Sequence, residues 1–134
     1  MNRPTNRTVD PLAVLTQMCL GGVYGWAIWA ASPIVTGEVE PWDSMTAYYS
    51  GTLFAAGFLS ALFWRHGFYW GPIGIYVGQI AYLWLAHHPG GPIIFPAVFA
   101  VALFGTIQPI IGALLGWAVV FGVRIVFRSP PIKS

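Results

Sequence analysis

Uncharged and mostly apolar sequence runs from Pro11 to Gly37, from Ser44 to Trp64 and from His66 to Val123. A bilayer core about 30 Å thick takes about 20 helical residues to cross, so the first two runs hold one span each. The third is long enough for two, divided at residues 87–92, where the sequence HHPGGP forms a turn. The runs are continuously apolar and do not alternate as the strands of a closed barrel would. The pattern therefore predicts an all-α, polytopic membrane fold with four transmembrane helices at about 11–33, 44–64, 70–86 and 96–123. Pro11 and Pro96 suit helix first turns, Pro33 suits the end of the first helix, and Asp43 or Ser44 can cap the second. Residues 1–134 form one four-helix domain, with a short polar arm (1–10) and a proline-rich tail (124–134).

Small and amide residues recur at helical spacing inside these runs. In the first helix Gln17, Gly21 and Gly25 share a face. The second carries Tyr48, Thr52, Ala56 and Ser60 at steps of four. The third lines one face with Gly71, Gly74, Gly78 and Ala81, and a neighbouring face with Tyr76, Gln79 and Tyr82. The fourth places Gly105, Gln108, Gly112 and Gly116 together, with Pro109 beside them as a hinge, because proline has no N–H and its ring crowds the preceding turn. Gly21/Gly25, Gly74/Gly78 and Gly112/Gly116 are GxxxG pairs, which let another backbone approach closely. Three such pairs predict seams left over for other transmembrane subunits. The short connection between the second and third spans predicts that these two pack as an antiparallel hairpin.

Composition supports the membrane reading. Hydrophobic residues make up 57% of the chain and charged residues 7%, too few to dress a water-soluble surface. With four spans, Arg3, Arg7, Arg65, Arg124, Arg128 and Lys133 gather on one side, while Glu38, Glu40 and Asp43 lie on the other. Positive residues mark the cytoplasmic side, so both termini are expected there, in a bacterial inner (plasma) membrane. The first run is too long for the apolar region of a typical secretion signal and is expected to be retained. Trp26, Trp29, Trp42 and Trp84 fall towards one interface and Trp64, Trp70 and Trp117 towards the other, as aromatic belts do. The basic residues are too scattered for nucleic acid.

Candidate chemistry is sparse. No ionisable residue lies in the middle of a span, which argues against proton-coupled carriers and ion pumps. Cys19 is the lone cysteine, and neither it nor Ser60 has a base at its own depth, so no catalytic residue is assigned. Gln17, Gln79 and Gln108 are the polar intramembrane residues, serving as interhelical glue or lining a path. His87 and His88 could meet Glu38, Glu40 or Asp43 around a metal ion, but without diagnostic spacing. His66 lies at the opposite surface, so haem ligation by two histidines of one chain is excluded, and a pigment or haem would need a neighbouring subunit. No cofactor is predicted beyond lipid contacts. The expected function is a non-catalytic accessory or scaffold subunit of a larger membrane complex, packing through its glycine-rich faces. The alternatives are a homo-oligomeric channel or facilitator with a glutamine-lined path, and a metal-binding membrane factor.

Overall fold

The computed structural model describes residues 10–44, 46–63, 68–86, 100 and 103–127. They form four helices: α1 (Pro11–Val35), α2 (Tyr48–Phe63), α3 (Trp70–Ala86) and α4 (Ile107–Phe127), with no strand among the described residues. Two stretches, Pro11–Val35 and Leu103–Phe127, are long and apolar enough to cross a membrane. The arm before Asp10, the tail from residue 128, His66, the His87–His88 pair and residues 93–99 lie outside the described residues.

Local sequence explains the helix ends. Asp10 is extended and caps α1 by accepting from the Leu12 N–H at 3.0 Å, with Pro11 just behind it. Asp10→Ala should cost about 1 kcal/mol, the usual worth of a lost N-cap, read as a lower thermal midpoint in detergent. At the other end the helix runs past Pro33 to Val35, because a proline in the last turn removes only one intrahelical bond. Thr36 closes the helix by donating its N–H to the Ser32 carbonyl at 2.8 Å. Gly37 follows at φ 78°, a left-handed conformation that glycine adopts without strain. The start of α2 comes later than Asp43 or Ser44, because residues 41–44, 46 and 47 are folded as turns and bends over the end of the bundle. In the last run, regular helix is interrupted at Thr106 and resumes at Ile107, which puts Pro109 in the first turn of α4. The irregularity precedes the proline because the Pro109 ring crowds the carbonyl one turn earlier, that of Gly105. α4 then continues to Phe127, four residues past the predicted end.

The buried face of α1 is a single stripe, Gln17, Gly21, Gly25, Ile28, Trp29 and Ser32. It lies along α3, while α2 lies along α4, and contacts between these two pairs are much sparser. Each pair joins helices that run the same way. Along α1 and α3, Gly21 sits beside Gly71 and Gly74 and Gly25 beside Ile75 and Gln79. Along α2 and α4, Gly57 sits against Pro109 and Gly116 against Phe58 and Ala61. The expected α2–α3 hairpin is therefore subordinate: sequence neighbours touch, but the intimate contacts join helices one removed. The reason is steric. The glycines of α1 and α3 face each other, so their backbones approach until a Cβ at Gly78 would lie 2.7 Å from the Gly22 carbonyl carbon. No such reciprocal seam joins α2 to α3.

Candidate functional site

At the end of the bundle that carries residues 36–47, here the loop end, the two pairs meet around Gln79. This side chain is fully buried. Its Oε1 accepts from the Tyr49 hydroxyl at 2.6 Å and from Trp29 Nε1 at 3.3 Å. Indole N–H can only donate, so the Trp29 contact fixes which way the amide is turned. Gln79 Nε2 has no hydrogen-bond partner among the described residues. Gly105 closes the cluster from the fourth run: a Cβ there would come within 2.8 Å of the Tyr49 hydroxyl and 3.3 Å of the Gln79 amide. One amide thus ties α1, α2 and α3 together under a glycine.

Aromatic rings surround it. Trp42, from the loop, meets Trp29 edge-on at 4.7 Å between ring centroids and Tyr49 at 6.2 Å. Its indole N–H donates to Glu40 Oε2 at 2.8 Å, and neighbouring Pro41 is fully buried. Nearby, the Tyr48 hydroxyl donates to the Ile28 carbonyl at 2.9 Å, a second tie between the pairs. Edge-on ring pairs contribute roughly 0.5–1.5 kcal/mol beyond the area they bury. Tyr49→Phe keeps the ring and removes only the donor to Gln79, so it should cost about 1 kcal/mol in thermal or denaturant unfolding.

Beside this cluster lies an open cleft of ≈ 440 Å³, walled by Trp42, Tyr49 and Phe104 and carrying the polar side chains of Thr46, Ser50 and Gln108. Gln108 Oε1 is buried and has no hydrogen-bond partner among the described residues. No charged side chain is among the described lining residues.

The predicted residues divide accordingly. Gly21, Gly25, Gly74 and Gly78 lie in the α1/α3 seam, and Gly112 and Gly116 lie in the α2/α4 seam. Gly105 covers the Gln79 amide instead of a neighbouring helix, and Pro109 abuts Gly57. Of the three amides, Gln79 and Gln108 lie near the loop end. Gln17 is buried near the other end, beside Gly71 of α3, which also faces Ser60 of α2. Glu38, Glu40 and Asp43 fall on the loop, and no group of three metal-ligating residues occurs among the described residues. Their candidate partners His87 and His88 lie outside the described residues. Trp29, Trp42, Tyr49 and Gly57 were not singled out by sequence as packing or polar-cluster residues. Trp29 carries a usable signal, since it continues the Gln17–Gly21–Gly25 stripe four residues on. Instead of lying in an interfacial belt, its ring is completely enclosed. Compared with protein-family models, curated proteins and solved structures, the chain matches none.

Proposed function

We propose that the chain is a four-span integral membrane protein with both termini in the cytoplasm, acting as a non-catalytic accessory or scaffold subunit of a larger membrane complex. The observation that carries this reading is the C-terminal half of α4. From Trp117 to Phe127 no residue is buried, on any side of the helix, although the sequence WAVVFGVRIVF holds one charge. The described part of α2 reaches Phe63, and Gly116 is already beside Ala61, so α4 runs on past the described length of its partner. A helix apolar all round requires lipid or protein on every side. Exposed Arg124 lies in this last stretch and the acidic loop lies at the opposite end, as the positive-inside rule asks.

The contact surface offered to neighbours differs from the one first expected. All three GxxxG pairs are occupied within the chain. A partner helix would instead meet large side chains such as Leu114, Trp117 and Phe121, all exposed. Purification from native membranes in a gentle detergent should yield this chain in a larger assembly. Recovery as free monomer alone would overturn the proposal.

A facilitator is the second reading, favoured by one observation. The polar side chains Gln79, Tyr49, Gln17 and Ser60 lie where the two helix pairs face each other, at both ends of that boundary. Uncharged, amide-lined routes can conduct. Gln17 and Gln79 are sealed, however, so passage within one chain requires the pairs to part. Solute flux into reconstituted vesicles above that of empty ones would favour this reading over the first.

A further inference from the structure

We propose that the loop-end cleft binds one small uncharged molecule with an apolar body and a carbonyl oxygen that accepts hydrogen bonds. The volume of ≈ 440 Å³ falls within the range of sites that enclose small molecules. Trp42 and Phe104 supply apolar wall, and no charged side chain is among the described lining residues to pair with an ion. The distribution of hydrogens selects an acceptor. The Tyr49 hydroxyl gives its hydrogen to Gln79 Oε1 at 2.6 Å, and the Trp42 indole gives its own to Glu40 Oε2 at 2.8 Å. Ser44 donates to the Pro41 carbonyl at 3.0 Å, so in its 3.0 Å contact with Thr46 the threonine must be the donor. Those hydrogens are spent. Ser50 and Gln108 keep theirs, since neither side chain makes a hydrogen bond among the described residues. Gln108 encloses its Oε1 and leaves the amide nitrogen accessible. That orientation is the less costly one, because an enclosed oxygen without a donor is tolerated better than an enclosed N–H without an acceptor. A newcomer therefore meets two uncommitted donors and cannot reach Oε1. A carbonyl oxygen answers them, having two lone pairs and no hydrogen of its own that needs a partner. A hydrocarbon of the same shape strips water from both donors and leaves them bare. This site is independent of whether other subunits bind the chain.

The chemistry is shared by the ester carbonyls of membrane lipids and by soluble ketones or quinones, and the experiment separates these sources. The full chain in detergent is dialysed to equilibrium against 2-acetylnaphthalene, its hydrocarbon isostere 2-isopropenylnaphthalene, and 2-naphthoate, with empty micelles subtracted. We expect saturable binding of one acetylnaphthalene per chain, about fivefold tighter than the hydrocarbon, from a single net hydrogen bond. Naphthoate should show no saturable component. Ser50→Ala combined with Gln108→Leu removes both donors and should bring the ketone-to-hydrocarbon ratio close to one. Ser50→Trp, at an exposed position that lines the cleft, should block both probes while the protein stays folded. Equal binding of ketone and hydrocarbon by the unaltered protein would overturn the proposal, as would saturable binding of naphthoate. An unchanged ratio in the folded double variant, or undiminished binding in folded Ser50→Trp, would do the same. Native mass spectrometry then locates the source. A lipid ester displaced by acetylnaphthalene places the natural ligand in the bilayer, and saturable ketone binding that releases no lipid places it in solution. Either result supports the site.

Discussion

Replacing Gly25 by leucine is expected to separate α1 from α3 and to destabilise the bundle by about 3 kcal/mol or more, at the upper end of the usual cost of overpacking. A Cβ at this position would overlap the Ile75 carbonyl oxygen, and would lie 2.9 Å from the Ile75 carbonyl carbon and 3.1 Å from the Gln79 nitrogen. All three obstacles are backbone. A side chain can rotate away from an intruding methyl group, but a helix backbone must move as a whole. Movement at this point also pulls Gln79 off Trp29 and Tyr49, so the loss extends to the polar cluster. Gly122→Leu is the matched control, because a Cβ there meets nothing within 4 Å. It should stay within about 0.5 kcal/mol of the parent, as surface changes usually do. Thermal midpoints of the two variants in detergent, followed by size-exclusion chromatography of the heated protein, make the comparison. Equal midpoints would mean that α1 and α3 are not in close contact.

The second large effect is expected at Gln79. Leucine has nearly the shape of glutamine but no acceptor, so Gln79→Leu leaves the Trp29 N–H and the Tyr49 hydroxyl buried without a partner. Each unsatisfied buried donor costs about 1–3 kcal/mol, and even after the relief from removing the partnerless Gln79 Nε2 the net loss should exceed that of Tyr49→Phe. The sign of the coupling is diagnostic. In a Tyr49→Phe background one of the two orphaned donors is already gone, so Gln79→Leu should cost less there than in the parent. Additive losses in denaturant unfolding would show that the two side chains do not share a hydrogen bond.

The helices were legible in the sequence because their determinants are local. Asp10 and Pro11 start α1, Gly37 follows its end, and the runs that supply the helical segments carry no charge. The stripe of Gln17, Gly21 and Gly25 pointed inwards, and it is buried. Helix pairing was not legible. A GxxxG pair says that a backbone comes close without saying whose. Gly22 and Gly57, neither part of a noted pair, turn out to face Gly78 and Pro109. The glycine surplus therefore looked like capacity for outside partners until α1 met α3 and α2 met α4. The candidate site was legible only in part. Gln79 stood out as an amide in an apolar helix, but Tyr49 and Trp29 are separated from it by 30 and 50 residues, and only the tertiary fold brings them together. Loop residue Trp42 was hidden for the same reason: its place above Trp29 depends on where α2 begins.

The pairing of alternate helices has a consequence for how the chain is made. When α1 and α2 have left the ribosome, neither has its close partner, because those partners are α3 and α4. In the proposed four-span protein, the first half of the chain would wait in the bilayer as two loosely associated helices, with Gly21, Gly25 and Gly57 uncovered. Each later helix then completes one pair begun earlier. Assembly is therefore interleaved: neither half of the polypeptide contains a finished seam, and each half supplies one helix to each of the two. Two fragments divided between α2 and α3 would carry complementary surfaces, much as the separated sides of a zip do.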